Sequence, residues 1–307
     1  MNYVEKTGAE HRTGLRKIVE FPLITMLIAM VIVVLCLVIG GVIGQLALPA
    51  IPGFSKEMKF EIVSIPLLIL VYELVIRRLG RYPRDDYRDS KALRHLGLGL
   101  GAGLLIFSVA VGLAALLGIY HVTGEGDSSD LVSAILGPAL FAAISEELIF
   151  RGILFRWIEE FGGSWMALLV TSVLFGAAHL FNPNASAVAA VGIAFEAGVM
   201  LGAAYMLTRS LWLPMGIHAA WNFAQGEIYD IPVSGGKVHG LLVARLSGAP
   251  LMTGNGFGLE ASPILIVVAT IFGLWMLWLA IRRGELVQPS WVRARQEDAT
   301  PLVDTFA

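Results

Sequence analysis

The 307-residue chain is 56% hydrophobic and only 15% charged, with a mean hydropathy of +0.74. Soluble domains hold roughly 45–50% apolar and about 25% charged residues, so this balance excludes an ordinary soluble enzyme, a disordered regulator and a nucleic-acid binder with a basic face. A formal net charge of -2 names no partner, and the single cysteine, Cys36, excludes both an intramolecular disulfide and a cysteine-built metal site.

A helix that crosses a bilayer needs roughly 20 mainly apolar residues. Eight runs are candidates: Phe21–Leu48, Phe60–Ile76, Leu96–Tyr120, Leu131–Trp157, Ser164–Leu180, Ala187–Leu207, Leu213–Ile228 and Pro263–Ile281. The pattern predicts an all-α, polytopic membrane helix bundle of about eight transmembrane helices. It divides the chain into a tail over 1–20, membrane helices over 21–130, a core with polar motifs over 131–228, a loop and last span over 229–281, and a tail over 282–307. The first run is longer than the core of a signal peptide, about 7–15 residues. It reads as a retained anchor, with Ala47 and Ala50 leaving a weaker cleavage reading.

Of the 22 Lys and Arg, 18 fall on one side of this arrangement, in the two tails, Arg77–Arg94, Arg151, Arg156 and Arg209. Positive residues mark the cytoplasmic side, so both termini are expected inside. Arg77–Arg94 reads as a solvated connection near anionic lipid, and the tail from Arg282 as solvated too. Asp230–Ser262, the longest loop, either covers a cavity or moves freely. Glycines at 97, 99, 101 and 103, and at 198 and 202, repeat as Gly-x-x-x-Gly, a spacing that allows close helix packing.

The chemistry concentrates in three polar interruptions. Span four carries Glu146, Glu147 and Arg151. Each charge at a helix centre costs about 2.5–3.5 kcal/mol, so these must face protein or water. Glu147 and Arg151, four apart with the acid first, are expected to pair. Glu146, turned about 100° away, is left to act as a general base; the plainer reading is an ion-paired helix end with Arg151 and Arg156 snorkelling. Span five ends in Phe175 and His179, and span seven carries His218 and Asn222 on one face. Glu146 with His179 could activate a water while His218 and Asn222 polarise a carbonyl. Glu146, His179 and His218 are also a three-ligand zinc set. Glu196 in span six either lines the same cavity or pairs with a polar neighbour, and Glu73 has Arg77 four residues on as a local partner. Ser234 lacks the Gly-x-Ser-x-Gly frame of a serine hydrolase.

Glu146-Glu147-x-x-x-Arg151, Phe175-x-x-x-His179 and His218-x-x-x-Asn222, in this order on apolar spans, resemble the three motifs of the CPBP family of intramembrane proteases, which includes the CAAX prenyl endopeptidase of eukaryotes. The resemblance runs from about Leu131 to Asn222. It implies an all-α membrane fold with a catalytic cavity inside the bilayer, Glu146 as the water-activating base aided by His179, His218 and Asn222 as the oxyanion site, and Glu147 with Arg151, beside Phe175, as support. The implied substrate is a membrane-embedded or lipidated protein or peptide at the cell membrane, in contact with lipid and not nucleic acid. No cofactor is favoured, because Asn222 serves an oxyanion better than a zinc ion, which remains the competing use. A non-catalytic scaffold and a proton-coupled transporter are the alternatives. One mismatch stands against the span ends. From the cytoplasmic side, Glu146 lies about ten residues into its span, His218 about five and His179 about fifteen, which at about 1.5 Å per residue puts them at different depths.

Overall fold

The computed structural model describes residues 14–48, 54–82, 84–127, 129 and 131–299. Most of the 1–20 tail, the end of the other tail and Ala50 of the cleavage reading therefore lie outside the described residues.

The chain is an all-α bundle. Among the described residues, five helical segments are long and apolar enough to cross a membrane: Pro22–Ala47, Ala92–Leu116, Leu131–Phe181, Ala187–Thr208 and Pro263–Arg282. The third is 51 residues long and breaks at Gly163, where φ is 80° and ψ 171°. Only glycine takes this backbone without strain, and a Cβ there would sit 2.8 Å from the Val287 carbonyl oxygen. The segment is therefore two helices, matching the fourth and fifth sequence runs. With Lys56–Leu74 and 212–228, each of the eight runs has its helix, designated α1 (Pro22–Ala47), α2 (Lys56–Leu74), α3 (Ala92–Leu116), α4 (131–162), α5 (164–181), α6 (Ala187–Thr208), α7 (212–228) and α8 (Pro263–Arg282). This is a multi-pass membrane protein.

Packing follows the surrounding solvent. The buried residues of α1 are Thr25, Ala29, Val33, Cys36, Gly40 and Gly44, a single stripe of mostly small side chains at spacings of three and four. Its other faces, with Val31, Val34, Leu35 and Val38, present apolar surface outward, as do Trp275 and Trp278 on α8. The glycine pattern on α3 divides cleanly. A Cβ at Gly99 would sit 2.5 Å from the Leu213 carbonyl oxygen and one at Gly103 would overlap that of Ile217, whereas Gly97 and Gly101 face open space. One face of α3 therefore docks backbone-close on α7.

Three expectations are corrected. The Arg77–Arg94 connection is solvated only in part: Asp86 and Tyr87 are buried, with Asp86 bonded to Tyr72 and paired with Arg84 at 2.8 Å. Arg156 does not snorkel; it is 2% exposed and donates to the carbonyls of Arg77, Tyr82 and Arg84. The tail after Arg282 folds back, with Val287 exchanging hydrogen bonds with Ser164 and Arg293 donating to Glu160 O. Buried polar groups need partners: at the end of α4, Arg156 finds them in the connection and the Glu160 carbonyl in the tail. The expected Glu73–Arg77 pair is present at 3.5 Å.

The opposite end carries a feature the sequence pattern did not show. Tyr120–Glu125 (β1) pairs antiparallel with Leu242–Leu246 (β2), from Tyr120↔Leu246 to Glu125↔Leu242. This two-stranded sheet anchors the long loop over this end of the bundle.

Candidate functional site

The site begins on α4, which departs from α-helical bonding twice, in π-helical turns at Ile135–Phe141 and Leu148–Phe155. Pro138 lies in the first turn and has no N–H to give, so the bonding register slips. Arg151 lies in the second, one turn after Glu147. Both side chains are fully buried, and Arg151 Nη1 donates to Glu147 Oε1 at 2.8 Å. Arg151 Nη2 donates to the carbonyls of Ala197 and Gly198, each at 3.2 Å. These belong to a third π-helical turn, Ala194–Val199 on α6. The guanidinium lies 4.8 Å over the Phe175 ring.

His218 reaches the same carboxylate from α7, with Nδ1 2.9 Å from Glu147 Oε1, across 71 residues of sequence. Asn222, one turn on, donates Nδ2 to Pro138 O at 2.7 Å. Phe175 joins the two halves: its ring centroid is 4.8 Å from that of His179 and 6.3 Å from that of His218. Its carbonyl accepts from His179 Nδ1 at 2.8 Å.

These contacts remove the depth mismatch. The α6–α7 turn does not end at the bundle surface. Leu211 N donates to Asp86 O, Trp212 Nε1 to Tyr87 O, and Arg209 pairs with Glu159 at 2.7 Å. The turn is overlaid by the Arg77–Arg94 connection, so α7 starts inside the protein and His218 sits level with Glu147.

Phe175, His179, His218, Asn222, Ser234 and Glu260 are among the residues around a small cavity of about 20 Å³, measured as space open to the centre of a water molecule. A cavity of this size has room for one water. On the other side of Asn222 is a larger cavity of about 320 Å³ in the same measure, bordered by Glu57, Glu61, Pro138, Glu227, Lys237 and His239.

The structure thus brings together Glu147, Arg151, Phe175 and His218 by direct contact, with His179 and Asn222 on the shared cavity. Glu146 is half-buried and its Oε2 has no hydrogen-bond partner among the described residues, though it acts electrostatically on Arg151 and His218. It does not line the small cavity beside His179; Glu260 does. Among the described residues no three His, Cys, Asp or Glu side chains form a group able to hold a metal, so Glu146, His179 and His218 are not gathered as a zinc set. Neither sequence reading of Glu196 holds: it is fully buried, neither oxygen has a hydrogen-bond partner among the described residues, and it leaves the cavity to its neighbours Ile193, Ala197 and Met200.

Of the cavity residues in the Asp230–Ser262 loop, sequence reasoning weighed Ser234 only as a nucleophile and missed Glu260. The available signal was an acid beside an apolar span, three residues before Pro263. The open question about that loop is answered: it covers a cavity.

Comparison with known sequences bears out the resemblance. Residues 128–224 match the family described as type II CAAX prenyl endopeptidase Rce1-like. The chain is also similar to a protein of Bacillus subtilis (strain 168) named "Putative membrane peptidase YdiL", with 27% identity over 180 residues, 53% of this chain and 68% of the relative. The family match holds all three polar motifs and stops short of Ser234 and Glu260.

Proposed function

We propose that this protein is an intramembrane endopeptidase of the cell membrane, hydrolysing a peptide bond in a membrane-associated protein or peptide. One observation carries the reading: His179, His218 and Asn222 line a water-sized cavity within an apolar helix bundle, and the buried Glu147–Arg151 pair holds His218 there. Charge at such depth is expensive to maintain, and a purely structural helix contact would not require a cavity among these groups.

In this reading Glu146 starts the removal of a proton from the attacking water and His179 Nε2 receives it, while the water oxygen bonds to the scissile carbonyl carbon. Phe175 O can only accept, so the neutral His179 ring carries hydrogen on Nδ1 and keeps the Nε2 lone pair for the water. Negative charge then develops on the carbonyl oxygen. Asn222 spends one of its two amide hydrogens on Pro138 O and has the other for that oxygen. His218 spends Nδ1 on Glu147, leaving Nε2 for the same task in its protonated form. Glu147 and Arg151 fix the His218 ring, and Phe175 spaces it from His179. The proton passes to the leaving amine as the C–N bond breaks. No step is assigned to a metal. The larger cavity beyond Asn222 supplies room for the peptide.

The test compares peptide termini in membranes from cells making the wild type and Glu146→Ala at matched abundance. New termini only with the wild type are expected, and they supply the cleavage-site sequence. Identical termini, with a deletion phenotype still rescued by the variant, would replace the enzyme with a non-catalytic scaffold.

A further inference from the structure

We propose that Glu260 is a positioning residue for His179, held in place by Ser234 and Gln225; the inference rests on the peptidase reading. His179 Nδ1 is committed to Phe175 O, so the working edge of the ring is Nε2. Glu260 lies on the same water-sized cavity, is 3% exposed, and comes from a part of the chain outside the family match. Its carboxylate is oriented from several directions. Ser234 N donates to Oε2 at 2.6 Å and Ser234 Oγ at 3.1 Å, with Gln225 adding its side-chain amide.

The loop that brings Glu260 in is fastened to the turn after His179. Asn182 Nδ2 donates to Ser234 O at 3.2 Å, and Asn184 Nδ2 to Gly256 O at 3.2 Å. Three and five residues beyond the imidazole, the chain is thus tied to both ends of the segment that holds the carboxylate. Burial pushes the Glu260 carboxyl above its ordinary range, while Gln225, His179 and Ser234 act to lower it. Glu196, buried beside it, has no donor among the described residues for either oxygen. Negative charge on this wall of the cavity therefore belongs on Glu260, where the donors are.

The chemical need is specific. While the water's proton resides on His179 Nε2, the water oxygen has bonded to the carbonyl carbon and the carbonyl π pair has moved to oxygen. The ring is then cationic in a low-dielectric site. Glu260 offsets that charge until the proton passes to the amine nitrogen and the C–N bond breaks. The other charged or titratable groups around the cavity are Glu196 on α6, His218 on α7, and Glu146, Glu147 and Arg151 on α4.

The experiment follows a wild-type-specific terminus quantitatively in membranes carrying wild type, Glu260→Gln, Glu260→Asp, Ser234→Ala, His179→Ala and the His179→Ala/Glu260→Gln double variant. Glu260→Gln is expected to slow formation about 10- to 100-fold, less than the roughly 10²- to 10⁴-fold that a general acid or base itself contributes. Glu260→Asp should recover part of the loss, and Ser234→Ala should lose several-fold. The double variant should be no slower than His179→Ala, since residues acting as a unit are not additive. A Glu260→Gln rate equal to wild type, or a double variant slower by the product of the single losses, overturns the proposal. Should Glu260→Gln fail to accumulate folded, a wild-type rate in Ser234→Ala overturns it equally. Absence of any wild-type terminus would instead refute the peptidase reading, and this inference with it.

Discussion

Removing one member of the Glu147–Arg151 pair should damage the protein more than removing both. In Arg151→Met, Glu147 stays fully buried with a single donor, His218 Nδ1, and the Ala197 and Gly198 carbonyls lose theirs. Breaking a buried pair from one side costs about 3–5 kcal/mol, because an uncompensated charge remains. Glu147→Leu/Arg151→Met removes both charges, and apolar replacement of a buried pair is often neutral. What persists is an unpaired His218 Nδ1 and two carbonyls, worth about 1–3 kcal/mol for each unsatisfied group, less whatever shifts in the π-helical turn recover. The double variant should therefore be no less stable than Arg151→Met, and nearer wild type if the carbonyls relax. Thermal unfolding in detergent, read by loss of the folded monomer in size-exclusion chromatography, ranks the variants. The double variant should also lose cleavage, since His218 Nδ1 has lost the Glu147 carboxylate that orients it. Unfolding of Arg151→Met within about 1 °C of wild type would refute the buried pair, and a double variant less stable than either single would refute the charge argument.

Three further outcomes follow from the same geometry. Asn222→Ala should slow cleavage about 10²- to 10³-fold, the usual loss of an oxyanion donor, while unfolding temperature changes little; a loss under threefold would remove Asn222 from that role. Gly103→Val should destabilise by at least about 1–3 kcal/mol, since a Cβ there overlaps the Ile217 carbonyl, whereas Gly101→Val has open space and should be near neutral; equal effects would mean that α3 does not dock on α7 through this face. Cleavage in membranes treated with a strong divalent-metal chelator should proceed at the untreated rate, and loss restored by added zinc would return Glu146, His179 and His218 to the role of ligands.

Much of the fold was legible because a membrane span is a local property. Roughly 20 apolar residues suffice to declare one, and all eight runs became helices. The Glu147–Arg151 pair was equally readable, since helical periodicity alone sets the pair's neighbourhood. The boundaries were less so. The sequence pattern ended span four at Trp157, but the helix continues to Gly162, because Arg156 and Glu159 find partners in the Arg77–Arg94 connection and the α6–α7 turn. Charge that reads as a helix end can instead be helix interior when another part of the chain satisfies it.

By itself the sequence determined the spans, the three motifs and the i,i+4 faces, because each depends on residues a few positions apart. Tertiary structure alone decided that His218 meets Glu147 rather than Glu146. Adjacent helical residues point about 100° apart, and only the rotation of α4 against α7 chooses between them. It also decided that Glu260, not Glu146, shares the small cavity with His179. That arrangement depends on a buried turn, slipped π-helical bonding and a loop tied down by Asn182 and Asn184, all contacts between distant parts of the chain.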